Sequence, residues 1–146
     1  MAHDTFKMTG SLAIRLYGPD GQLKDERNIH NLVLTAGKGF IASRMVGVAS
    51  AVMSHMAIGS GVVAAAVGDT VMGTQLARVA LTAGTAAGAV ATYTAAYPAG
   101  TGTGAVTEAG ILNDPAAGTM LARTVFPVVN KGALDTMSIS WTVTAN

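Results

Sequence analysis

Two charged side chains, Glu108 and Arg123, stand inside stretches that otherwise favour buried β-strands. Glu108 lies within residues 105–112, and Arg123 lies within residues 119–129. The turn-forming residues 113–118 separate these stretches, so a hairpin would bring the two side chains near each other. A carboxylate can act as a general acid or base, but no acid–base partner lies near Glu108 in the sequence. We therefore interpret the pair as a cross-strand ion pair that fixes the hairpin register, and we favour this over catalysis.

The histidines and the glycine-rich runs do not predict a metal or cofactor site. His3, His30 and His55 are not spaced as metal ligands, and the chain has no cysteine. Residues 59–61 imitate the start of a dinucleotide fingerprint, but the helix and the acidic residue that complete this motif do not follow. Residues 100–104 lack the consecutive Lys-Ser/Thr pair with which a phosphate-binding loop neutralises phosphate and holds magnesium. We expect no catalytic residue, no metal and no cofactor, and hence a protein that is not an enzyme.

The composition indicates a single domain with an unusually uncharged surface. The chain has 146 residues, a length typical of one domain. Only 12% of the residues are charged, about half of the usual ~25%, whereas 50% are hydrophobic. Our hypothesis is that other subunits cover part of the surface.

Charge and hydropathy give no reason to expect nucleic acid or a membrane as a partner. The net charge is +1, too small to attract a polyanion. Residues 45–68 form an uncharged stretch long enough to span a bilayer, but glycines, serines and a histidine interrupt it. We therefore expect neither partner.

Alternating apolar and polar residues predict an all-β fold. Residues 11–17 and 22–30 form a predicted strand pair around the turn at 18–21, and residues 137–144 alternate in the same way. Thr35 is predicted to cap one short helix over residues 36–46. We count about eight short strands, which favours an antiparallel β-sandwich of jelly-roll type. Residues 11–146 would form this domain, and residues 1–10 would form an extended N-terminal arm.

Several phrases together resemble a group of small virion proteins of tailed bacteriophages. They are NLVLTAG at residues 31–37, MAIGSG at 56–61, GDT and LAR within 68–78, GTGAVTEAGI at 102–111, and MLARTVF with NKG within 120–132. Within that group the chain is most similar to capsid decoration, or cement, proteins. The resemblance implies a β-sandwich or jelly roll that sits as a homodimer or homotrimer on the outer surface of the capsid. It would bridge neighbouring major capsid proteins and stabilise the shell.

Contact regions for such a role are predicted where the sequence shows no core or turn function. They are the arm, with Phe6, and the glycine-rich segments 59–68 and 98–104, with Gly59, Gly61, Gly102 and Gly104. One rival interpretation is a tail-fibre or baseplate domain involved in host attachment. Another is a small enzyme or ligand-binding jelly roll, which would show a pocket with convergent polar groups.

Overall fold

A computed structural model describes residues 7–48 and 50–146 of the chain. The described residues form nine strands and one helix. The strands are β1 (Met8–Tyr17), β2 (Leu23–Val33), β3 (His55–Gly59), β4 (Gln75–Ala80), β5 (Ala83–Ala87), β6 (Val90–Tyr97), β7 (Gly104–Leu112), β8 (Met120–Lys131) and β9 (Thr136–Ala145). Helix α1 (Thr35–Met45) lies between β2 and β3. The prediction of an antiparallel all-β fold with one short helix is confirmed, with one strand more than the predicted eight.

The strands form one curled antiparallel sheet in the order β4-β3-β7-β8-β2-β1-β9-β6-β5. Strand β2 joins its two halves, because most of β2 pairs with β1 while Leu32 and Val33 pair with β8. The halves share one apolar core, and Tyr97 on β6 donates a hydrogen bond to the carbonyl oxygen of Met56 on β3 at 2.8 Å. The curl therefore brings strands that are distant in the sheet order into contact.

The core forms because alternate residues of β1 and β9 point to the same side of the sheet. In the register of these two strands Leu12 lies opposite Trp141, and Ile14 lies opposite Ile139. All four side chains are buried, whereas Ser138, Ser140 and Thr142, which alternate with the buried residues of β9, are not. The one-sided burial predicted for residues 137–144 is confirmed.

Two local predictions need correction. Strand β1 begins at Met8 rather than at residue 11, so residues 8–10 of the predicted arm belong to the sheet. Residues 1–6, including Phe6, lie outside the described residues. Thr35 is the first helical residue rather than the cap, because Leu34 occupies the N-cap position without a side-chain hydrogen bond. Over the described residues, α1 falls short of the length and apolar content that a membrane-crossing helix needs, and no other helix is present.

Candidate functional site

Glu108 and Arg123 form a direct ion pair on the outer face of the curled sheet. Glu108 on β7 is opposite Val125 on β8, and Gly110 is opposite Arg123, so the two charged residues are diagonal neighbours on one face. Nη2 and Nε of Arg123 donate to Oε2 of Glu108 at 2.8 and 3.1 Å. The hairpin thus brings together the two residues that the sequence singled out.

The loop of residues 60–74, which we call the covering loop, folds over this pair. It connects β3 to β4 and supplies three backbone donors to the Glu108 carboxylate. The N–H groups of Gly61 and Thr74 donate to Oε1 at 3.0 and 2.6 Å, and that of Gly73 donates to Oε2 at 2.9 Å. A Cβ added at Gly61 would lie 2.6 Å from Oε1, so a side chain there would exclude the carboxylate. Glu108 is completely buried as a result.

Arg123 fixes the middle of the covering loop. Its Nη1 donates to Oδ2 of Asp69 at 2.8 Å, and its Nη2 donates to the carbonyl oxygen of Val63 at 3.2 Å. Asp69 in turn accepts a hydrogen bond from the N–H of Ala66 at 2.9 Å. We call Glu108, Arg123 and Asp69, with their backbone partners in the covering loop, the Glu108 network.

The electrostatics favour charged side chains throughout the Glu108 network. Burial alone would raise the pKa of Glu108, but the three backbone N–H groups and Arg123 together hold that pKa below its usual value. The hydrogen bond from Ala66 and the charge of Arg123 lower the pKa of Asp69. Oε1 of Glu108 accepts two hydrogen bonds and Oε2 accepts three, so the acceptor positions of this carboxylate are occupied by the protein itself. The hydrogen bonds and ion pairs of this arrangement hold the covering loop in place.

The covering loop presents an apolar outer surface. Val62, Val63 and Val71 are 75%, 77% and 70% exposed. Beneath them Met72 is buried in a small second cluster, whose other buried members are Leu34, Ala57, Leu112 and Met120. An exposed apolar loop normally loses conformational entropy when it binds a partner. The covering loop would lose less, because the Glu108 network already fixes its conformation.

The glycines predicted as contact residues lie mostly inside the protein, which corrects the premise that they have no internal role. Gly59 and Gly61 are buried next to the Glu108 carboxylate. Gly102 is buried with a φ of 70°, where a side chain would be strained and would meet Ile58. Gly104 is the partly buried first residue of β7. The contact prediction for Phe6 lies outside the described residues.

Sequence reasoning missed Asp69 and a second buried cation, Lys131. The signal for Asp69 was present, since it follows Gly68 in one of the phrases that carry the resemblance, but no spacing rule connects it to Arg123. Lys131 is the last residue of β8, and the run Asn130-Lys131-Gly132 in the sequence favours a turn, in which a lysine is normally solvated. In residues 7–48 and 50–146, no three histidine, cysteine or acidic residues are grouped to hold a metal ion.

Comparisons with known proteins add no relative. No protein-family model matches the chain, and neither a curated protein nor a solved structure is significantly similar to it.

Proposed function

We propose that this chain is a structural, non-catalytic virion protein that binds the outside of a tailed-phage head. In this role it cements neighbouring major capsid proteins and stabilises the shell. The observation that carries the proposal is the exposed apolar surface of the covering loop, which the hydrogen bonds of the Glu108 network hold against β7 and β8. A protein that acts by staying bound to its neighbours needs an exposed apolar surface, and it does not need a reactive side chain.

The phrases that resemble virion proteins support the same proposal through their positions. The phrase at 56–61 contains Gly61, the phrase GDT contains Asp69, residues 102–111 carry Glu108, and residues 120–132 carry Arg123. Four separate phrases therefore meet at one network. Their shared task in this chain is to build the loop and hold it against β7 and β8.

The low charge of the chain, and the many copies that a symmetric shell would bind, support the proposed cementing role. Apolar side chains that remain exposed in one chain are suited to burial against another protein. On a symmetric shell, many identical weak contacts add up, because each bound copy holds two capsid subunits close to each other.

The finer architecture that we propose is a two-layer β-sandwich, in which the two halves of the curled sheet are the layers. The shared core and the hydrogen bond from Tyr97 to Met56 support this proposal. The strand order favours it over a jelly roll, because a jelly roll contains two Greek keys. Each Greek key needs three consecutive strands paired side by side, and no such set occurs among the described strands.

Electron microscopy of virions that carry a label on the C-terminus of this chain tests the location. We expect label distributed over the head surface. Label confined to the tail would contradict the proposal and would support the tail-fibre or baseplate alternative.

A binding assay tests the contact surface. Heads that lack this chain are mixed with the purified chain, and the bound fraction is measured by sedimentation. Replacing both Val62 and Val63 with Asp should weaken binding on the order of 10- to 100-fold, since it places charge in an apolar contact. Leu134→Asp is the matched control, because Leu134 is also exposed but lies in the β8–β9 turn. Equal binding by both variants would contradict a role for the covering loop.

A further inference from the structure

The two edges of the curled sheet are protected to different degrees. Edge strand β4 carries Arg78, whose guanidinium donates to the carbonyl oxygens of Asp114 and Ala117 at 3.0 and 2.9 Å. This contact ties β4 to the β7–β8 turn, and it places a charged residue on that edge strand. Edge strand β5 has the sequence Ala-Gly-Thr-Ala-Ala, with no charge and no proline. Natural sheets usually block an exposed edge with such residues, so their absence from β5 indicates an edge that pairs.

Strand β5 also has little to stabilise it within one chain. All five of its residues are exposed, so neither face packs on the core. Alanine and glycine have low β-propensity, and β5 adds no buried side chain to the core, so within one chain it is held mainly by its ladder with β6. In the described residues its ladder partner is β6, on one side only. A further strand, hydrogen-bonded to the free edge of β5, would stabilise its extended conformation.

We propose that β5 pairs antiparallel with β5 of a second copy of this chain, about a two-fold axis at Thr85. Ala87 lies opposite Val90 across a two-residue turn, so Ala83, Thr85 and Ala87 bond to β6. Gly84 and Ala86 then direct their N–H and C=O groups to the free edge.

The sequence of β5 is complementary to itself in that register. Around an axis at Thr85, Gly84 faces Ala86 of the second copy and Ala83 faces Ala87. All these side chains are small and uncharged, so two copies approach without a clash or like-charge repulsion. The two Thr85 residues form the central, non-hydrogen-bonded pair of this ladder. Side chains lie closest together in such pairs, so the two Thr85 hydroxyl groups can hydrogen-bond to each other. This self-complementarity favours a second copy over an unrelated extended peptide.

An apolar groove beside the hairpin can extend the contact area. A five-residue ladder alone is smaller than a stable interface requires. The groove has a volume of about 250 Å³ and is lined by Ala86 and Gly88 of the β5–β6 hairpin together with Phe40, Ile41 and Tyr93. Its continuity with β5 lets the same second copy cover both surfaces.

The test is the mass of the purified chain in solution, measured by light scattering after gel filtration. We expect the wild type to form a dimer of twice the 14.6 kDa chain mass. Thr85→Lys places two like charges against each other at the axis and should raise the dimer dissociation constant on the order of 100-fold. Ala80→Lys is the matched control on the other edge strand and should leave the dimer intact. A monomeric or trimeric wild type, or a dimer unaffected by Thr85→Lys, would overturn the proposal.

A cross-linking variant makes the test independent of any folding defect in Thr85→Lys. The chain has no cysteine, so Thr85→Cys introduces a single thiol. Two copies paired at the axis bring these thiols within disulfide distance. Under mild oxidation Thr85→Cys should form a covalent dimer at least about tenfold faster than Ala80→Cys does, as expected when pairing raises the effective concentration. Equal rates would exclude the β5 pairing. The test uses no capsid, so its outcome does not depend on the proposed function.

Discussion

Arg123 and Lys131 are two buried cations on the same strand, and they have different kinds of partner. Arg123 is 3% exposed and bonds to two carboxylates, those of Glu108 and Asp69. Lys131 is 2% exposed and donates to two backbone carbonyls, those of Pro98 and Asp135, at 3.0 and 2.8 Å. The Asp135 carboxylate lies close by, but its ion pair is with Lys24 at 2.8 Å.

The partners decide how well each charge is compensated. Burial lowers the pKa of Lys131, because the nearby carboxylate of Asp135 offsets the loss of water only in part. Burial would lower the pKa of Arg123 too, but its bonds to Glu108 and Asp69 outweigh that effect and raise the pKa. A guanidinium can reach two carboxylates and a loop carbonyl at once, whereas an ammonium is a single point charge. We infer that Arg123 organises a loop and that Lys131 joins two short turns.

The largest effect that we expect is from Glu108→Gln. The change removes one of the two carboxylates that compensate the buried Arg123, and the new amide NH2 cannot accept the hydrogen bonds that one carboxylate oxygen now receives. We expect a loss of about 3–5 kcal/mol in the free energy of unfolding, measured by chemical denaturation. Glu26→Gln is the control, because Glu26 forms an exposed pair with Arg15 at 3.3 Å and should change stability by about 0–1 kcal/mol. Similar losses for both variants would show that the buried Glu108–Arg123 pair stabilises the fold no more than an exposed ion pair does.

Acid should remove part of the same stabilisation. The pKa of Glu108 is lower in the folded protein than in the unfolded chain, where it is about 4.3. Its contribution is therefore complete above about pH 5 and is lost as the pH falls through the folded-state pKa. Denaturation midpoints between pH 7 and pH 3 should fall more steeply for the wild type than for Glu108→Gln. Parallel pH profiles would contradict a depressed pKa at Glu108.

A smaller loss is expected from Lys131→Met, because two opposing effects partly cancel. The change leaves the carbonyl groups of Pro98 and Asp135 without their donor, which should cost about 1–3 kcal/mol. It also removes a buried charge that is only partly compensated. Because the folded-state pKa of Lys131 is lowered, the unfolded chain binds more protons at alkaline pH, and wild-type stability should rise as the pH approaches about 10.4. Lys131→Met should lack this rise, and a variant that retained it would contradict our interpretation.

The smallest effect should come from Asp69→Asn. The side chain of Asp69 is 26% exposed, and an asparagine oxygen can still accept from Arg123 and from the Ala66 N–H. We expect a loss of about 1 kcal/mol in stability. Hydrogen exchange should show the change mainly in residues 60–74, because Asp69 fixes only the covering loop. A loss as large as that of Glu108→Gln would mean that Asp69 supports the whole fold.

The sequence predicted the features that depend on neighbouring residues. The alternation of Ile139, Trp141 and Val143 predicted a strand with one buried face, because successive side chains in a strand point to opposite sides. The turn residues 113–118 predicted the hairpin that pairs Glu108 with Arg123, because proline and glycine favour a reversal. These two predictions required only local geometry.

The tertiary structure decided what distant segments do together. The loop that buries Glu108 approaches it from residues 60–74, and the closeness of Gly61 to the carboxylate is not a property of either segment alone. The curl that places Tyr97 against Met56 depends on the long-range pairing of β2 with both β1 and β8. Lys131 became buried for the same reason, since its partners come from two separate turns. Local periodicity thus determined the strands, and long-range packing determined which of their charges were removed from water.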